Sequence, residues 1–115
     1  MSAVIWHNPK CSTSRKVLEM MRARGVEPTV VDYQETPPSA SEIRAALTAM
    51  GMSPRDLIRK KNTPYDELGL GDPDLSDAAL VKAMAEHPLL IERPVVHTEK
   101  GTRLCRPVER LQEIL

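Results

Sequence analysis

The stretch Val4-Ile5-Trp6-His7-Asn8-Pro9-Lys10-Cys11-Ser12-Thr13-Ser14 sets the reading of the chain. Val4-Ile5-Trp6 is a short apolar run of the kind that forms a buried strand. Pro9 lacks an N–H and restricts Asn8, so the run breaks there. Ser12, Thr13 and Ser14 then offer N-cap hydroxyls, and Val17, Leu18, Met20, Met21 and Val26 mark an apolar helix face. Gly25 stands where a left-handed C-cap belongs. Thr29-Val30-Val31-Asp32-Tyr33 reads as a β-branched strand. Strand, helix and strand in this order predict a right-handed crossover with parallel pairing.

Outward from this unit the chain turns helical. Ser39-Ala40-Ser41-Glu42 has the spacing of a capping box, and Ile43, Ala46, Leu47 and Met50 follow at helical intervals up to Gly51. Ser53-Pro54 opens a short helix read as carrying Leu57, Ile58 and Arg59. Thr63-Pro64 starts a brief turn, and Ser76 caps a helix bearing Leu80, Val81 and Met84 that stops before Pro88. The last third returns to strands: Val95-Val96-His97-Thr98, a turn at Glu99-Lys100-Gly101-Thr102, and a returning strand through Arg106. Pro107 is read as opening a terminal helix with Val108, Leu111, Ile114 and Leu115 apolar. The order βαβ, helices, ββα predicts one α/β domain over residues 1–115, with a helical insertion at about 39–88.

Composition removes several classes of function. The 115 residues carry 16 Lys and Arg against 16 Asp and Glu, a formal net charge of zero, which argues against a binder of nucleic acid or of acidic membranes. Trp6, Tyr33 and Tyr65 are the only aromatics, too few for base stacking. No apolar run approaches the roughly 18 residues of a membrane span, and His7 and Pro9 interrupt the N-terminus too early for a signal-peptide core. A small cytoplasmic protein, free of membrane and nucleic acid and monomeric, is the expectation. Cys11 and Cys105 are too few for a disulfide framework, and with His7, His87 and His97 they show no metal-ligand spacing. No metal and no tightly bound cofactor are expected.

Cys11 is where the chemistry concentrates. It sits just past a strand, at the predicted opening of a helix, where unpaired N–H groups and the positive dipole end favour a thiolate. Such placement can lower a cysteine pKa from about 8.5 to roughly 3.5–7.5. The N–H groups of Ser12, Thr13 and Ser14 can also hold an oxyanion beside the sulfur. A buried, inert cysteine at a strand end is the alternative on these local features. Ser14 stands where a dithiol motif needs its second cysteine, and Val17 where a Cys-x5-Arg phosphate loop needs its arginine. A single-thiol enzyme needs an external reductant.

Taken together, the segments resemble one family. His7-Asn8-Pro9-Lys10-Cys11-Ser12-Thr13-Ser14-Arg15 is similar to the nucleophile loop of the glutathione/glutaredoxin-linked arsenate reductases. Leu57-Ile58-Arg59-Lys60-Lys61 resembles that family's second segment, Arg93-Pro94 after His87-Pro88-Leu89-Leu90-Ile91-Glu92 its third, and Gly101-Thr102-Arg103-Leu104-Cys105-Arg106-Pro107 its fourth. The resemblance covers essentially the whole chain, although Lys10 and Ser12 fall where the family varies. It implies a thioredoxin-like fold, with Arg59, Arg93 and Arg106 converging on Cys11 to bind arsenate. Guanidinium forks suit a tetrahedral oxyanion, which presents several acceptor oxygens. It also implies a cis peptide bond at Arg93–Pro94 facing the cysteine and aiming Arg93 at the site.

The reaction so implied is reduction of arsenate to arsenite. The Cys11 thiolate attacks arsenic(V), glutathione joins as co-substrate, and glutaredoxin resolves the Cys11–glutathione disulfide. His7 has two open roles: a cation that tunes the thiolate together with Ser14, or a strand-end histidine hydrogen-bonded to backbone. His87 reads as a helix-end cap and His97 as a strand residue. Cys105 reads as structural, Arg103 as ambiguous, and Arg15, Arg22, Arg24, Arg44, Arg55 and Arg110 as solvated surface. Two rivals share the scaffold: a regulatory protein that binds RNA polymerase, which typically carries a Cys-x2-Cys switch, and a generic thiol reductase.

Overall fold

Val4–His7 forms β1, the strand on which the sheet is built; the computed structural model describes residues 2–115. β1 runs parallel to β2 (Thr29–Asp32), with Ile5 opposite Val30, and antiparallel to β3 (Val95–Thr98), with Ile5 opposite Val96. β3 turns through Glu99 and Lys100 into β4 (Gly101–Leu104), so the strand order is β2-β1-β3-β4. The crossover between β1 and β2 is α1 (Ser12–Ala23). A parallel βαβ followed by an antiparallel hairpin on the far side of β1 is the thioredoxin-like arrangement.

α1 forms because Ser14, Val17, Leu18 and Met21 recur at helical intervals and are all buried. Val17, Leu18 and Met21 pack with Ala3, Ile5, Val96, Cys105, Leu111 and Ile114 into one core on that face of the sheet. The C-terminal segment closes this core as a 3-10 helix over Val108–Glu113, not the α-helix read from sequence. Its apolar residues Val108, Leu111 and Ile114 recur every three positions, the 3-10 repeat, so three-residue spacing was the overlooked signal. Leu111 is fully buried there, and Leu111→Ala is expected to cost about 2–5 kcal/mol. A lowered denaturant midpoint at unchanged m-value is the measurement. A midpoint equal to the parent's would show that the segment does not anchor the core.

The chain parts into two compact units, one made of the residues up to Thr36 together with Arg93–Leu115, the other of Pro37–Glu92. The second is helical: α2 (Ala40–Met50), α3 (Pro54–Leu57) and α4 (Asp77–Glu86), then a 3-10 turn at Pro88–Leu90. Its starts are the ones the capping rules place. The Ser39 Oγ accepts from the Glu42 N–H at 3.1 Å while Glu42 Oε1 accepts from the Ser39 N–H at 3.0 Å. Ser76 Oγ accepts from the Ala79 N–H at 3.1 Å. Gly51 ends α2 in the left-handed region at φ 65°, which favours glycine.

Two expectations are corrected in this unit, the reach of α3 and the role of Arg55. α3 ends at Leu57, so Ile58 and Arg59 are not helical. Ile58 instead pairs with Ile91, flanked by bonds from the Arg59 N–H to Leu90 O (2.7 Å) and from the Glu92 N–H to Leu57 O (2.9 Å). That long-range pairing overrides the local helix signal. Arg55 is not a solvated surface residue either. Its guanidinium donates to Tyr65 Oη, Leu70 O and Asp72 O and so clamps the loop that precedes α4.

Candidate active site

The loop from β1 into α1 is held by its own polar groups. The Asn8 C=O accepts the Cys11 N–H at 3.0 Å, and Asn8 Oδ1 accepts the Lys10 N–H at 2.9 Å. The Asn8 N–H donates to Ser14 Oγ at 3.1 Å, and Arg15 Nη1 reaches back to Pro9 O at 2.8 Å. Cys11, not one of the following hydroxyl residues, is the N-cap of α1: its backbone is extended and its C=O accepts the first helical bond, from the Arg15 N–H at 3.0 Å. Ser12, Thr13 and Ser14 therefore occupy the first helical turn. The Ser12 and Thr13 N–H groups precede the first helical bond and are free to bind an anion.

Cys11 is half-buried and joined in no disulfide. Burial pushes its thiol up, but the Ser14 N–H, the hydrogen-bonding Arg93 and Arg106 side chains and the Arg93 charge together outweigh that and hold it below the ordinary thiol range. The Cys11 side chain makes no cap hydrogen bond by distance and angle, but the Ser14 N–H faces the sulfur and favours its charged form. Arg106 Nη1 stands 3.8 Å from Cys11 Sγ and also donates to the Arg93 C=O at 3.1 Å. The structure thus brings Cys11, Ser14, Arg93 and Arg106 together. Arg93 Nε and Nη1 are buried and find no partner among the described residues.

His7 reaches this loop through Ser14. Its Nδ1 lies 2.7 Å from Ser14 Oγ, and both residues are buried. Burial lowers the His7 pKa, Asp32 pulls it partly back, and Arg22 and Arg15 push it down again, so the charged ring is disfavoured. Of the other histidines, exposed His87 lies at the junction of α4 with the 3-10 turn, and His97 Nδ1 meets Thr102 Oγ1 at 2.7 Å across the β3–β4 hairpin. Arg103 is engaged away from the thiol, with Nε 2.9 Å from Glu113 Oε1. Cys105 is fully buried in the core, which pushes its thiol up to about 12. It cannot ionise near neutral pH.

Arg93–Pro94 is cis, and so is Arg106–Pro107, a bond the sequence reading did not single out. β4 ends at Leu104, so Arg106 lies beyond the strand rather than within it. Arg59 belongs to the Pro37–Glu92 unit, where its Nη1 pairs with Glu92 Oε1 at 2.7 Å and its Nε donates to Lys61 O at 3.1 Å. Asn8 was not read as a site residue at all, although an Asn directly before a Pro is a recognisable turn signal. Among the described residues no group of three or more His, Cys, Asp and Glu is placed to hold a metal ion. No described helix is long and apolar enough to cross a membrane.

The chain is similar over its whole length to known proteins. The chain is 54% identical over 115 residues to an arsenate reductase of Rhizobium meliloti (strain 1021), covering all of this chain and 82% of that protein. It is 51% identical over 111 residues to an arsenate reductase of Escherichia coli (strain K12), covering 96% of this chain and 79% of that one. The solved structure of an arsenate reductase from Vibrio cholerae superposes with a TM-score of 0.96 at 48% identity, covering 100% of this chain and 98% of that one. The profile of the ArsC family matches residues 6–114, and with the thiol and its two arginines so placed, the chain belongs to the ArsC family.

Proposed function

We propose that this protein reduces arsenate to arsenite, with Cys11 as nucleophile and with glutathione and glutaredoxin supplying the electrons in the cytoplasm. The observation that carries this reading is the pair of buried, unpartnered Arg93 nitrogens beside a thiol whose ionisation is favoured. A buried guanidinium donor without a partner costs about 1–3 kcal/mol or more, which an incoming oxyanion relieves. Arg106 Nη1 lies within 3.8 Å of the same sulfur, and the Ser12 and Thr13 N–H groups offer further donors. The resemblance of Leu57-Ile58-Arg59-Lys60-Lys61 to the family's second segment is what assigns an oxyanion-binding role to Arg59 as well.

In the first step the Cys11 thiolate bonds to arsenic(V) and one arsenate oxygen leaves as water once protonated. The glutathione thiol then engages the adduct. The sulfurs of Cys11 and glutathione become a disulfide, arsenic takes up two electrons, and arsenite leaves carrying the glutathione proton. Glutaredoxin thiolate exchanges onto the glutathione sulfur and returns Cys11 to the thiolate. Arg93 and Arg106 neutralise the oxyanion as sulfur approaches and keep charge from building up around arsenic. Phosphate offers the same oxygens and is expected to bind weakly, but it has no accessible reduction.

The test is arsenite formation by the pure protein with glutathione and glutaredoxin supplied separately and together. Turnover that requires both is expected. No arsenite with any thiol donor would falsify the reading. Cys105→Ser is expected to retain wild-type turnover, because its thiol is held protonated in the core. A large loss of rate in a folded Cys105→Ser protein would assign Cys105 a redox role.

A further inference from the structure

We propose that Asn8 is a positioning residue for Cys11, its side chain and both its backbone polar groups together closing the nucleophile loop over the first turn of α1; this rests on the reading of Cys11 as the nucleophile. Three bonds meet on this residue. Its C=O takes the Cys11 N–H at 3.0 Å, its Oδ1 takes the Lys10 N–H at 2.9 Å, and its N–H gives to Ser14 Oγ at 3.1 Å. The first two nest an Asx turn inside a β-turn across Asn8-Pro9-Lys10-Cys11, with Pro9 setting φ at the second position. Asn8 is 6% exposed, so water cannot freely replace a lost partner.

Only the side-chain bond depends on the residue type, since any residue but proline supplies the other two. Aspartate can accept the Lys10 N–H equally well, but it places a second negative charge beside a sulfur that must itself become negative. Asparagine closes the turn without that charge. Its effect on Cys11 is geometric. With the Cys11 N–H tied to Asn8 and the Cys11 C=O tied to the Arg15 N–H, the residue is fixed as N-cap, and its sulfur stays within reach of the Ser14 N–H and Arg106.

The experiment reads alkylation of Cys11 by iodoacetamide, followed by mass spectrometry, together with amide hydrogen exchange. Asn8→Ala is expected to slow alkylation at pH 7 by about 2–10-fold, the scale of one hydrogen bond's net contribution, and to move the pH profile upward. Asn8→Ser, which restores a neutral acceptor, is expected to recover most of the rate. In the wild-type protein the Lys10 and Cys11 amides should exchange more slowly than those of Ser12 and Thr13. A folded Asn8→Ala protein alkylated at the wild-type rate overturns the assignment. So do Lys10 and Cys11 amides that exchange as fast as their two neighbours, a measurement that stands even where Asn8→Ala does not fold. Neither readout involves arsenate, so the expected responses in a protein that never forms arsenite would count against the proposed function alone.

Discussion

Cys11→Ser is expected to form no arsenite above the uncatalysed background, while keeping its fold. Two physical reasons combine. A serine hydroxyl does not ionise near neutral pH, so the groups that favour a thiolate, the Ser14 N–H and the Arg93 and Arg106 guanidiniums, have no anion to stabilise. The second half of the reaction also needs a sulfur that can end in a disulfide as arsenic takes up two electrons, and oxygen offers no such product. Stability should not suffer, because position 11 is the N-cap of α1 and serine is among the preferred residues there. Arsenite release, denaturation midpoint and binding of arsenate to the variant are the three measurements. Substantial turnover by Cys11→Ser would remove Cys11 from the mechanism. An unfolded variant would contradict the capping argument.

Arg93→Gln and Arg106→Gln are each expected to lower kcat/KM for arsenate by about 10²–10³-fold, the loss typical of removing one preorganised oxyanion donor. Each should also move the alkylation profile of Cys11 to higher pH. The sign follows from the thiolate: both guanidiniums favour the charged sulfur, so removing either lets burial, the largest influence on this thiol, push its pKa up. The linked stability change has a defined window. Because the folded thiol ionises below the unfolded one, this contribution rises as pH increases from the folded pKa to the unfolded pKa, and it is fully present above the latter. Either Gln variant should reduce that gain. Arg106→Lys keeps the charge but not the fork and should fall between wild type and Arg106→Gln. An unchanged alkylation profile in both Gln variants would separate the arginines from the thiol, whatever happens to turnover.

Elements held by near neighbours were legible from residue order. The Ser39–Glu42 capping box, the Ser76 cap, Gly51 in the left-handed region and the apolar face of α1 all involve residues within a turn or two of each other. Where reading failed, a distant partner or a finer period was at work. Ile58 left its helix to pair with Ile91, Arg55 was spent on the 65–72 loop, and the closing segment followed the 3-10 repeat of Val108, Leu111 and Ile114. Asn8 escaped because its three bonds form only once the loop has folded back on Ser14.

The candidate site divides in the same way. A cysteine just past a strand and ahead of an apolar helical repeat is local information, and it made residue 11 the candidate nucleophile while leaving a buried, inert cysteine open. Which cations meet that sulfur is not local. Cys11 and Arg106 are 95 positions apart, and their approach depends on β3 pairing with β1 and on β4 returning beside β3. Capping and periodicity act within a few residues, whereas an electrostatic pocket is assembled by sheet register across the chain. A formal charge of zero therefore coexists with a thiol flanked by two guanidiniums, one of them still short of partners.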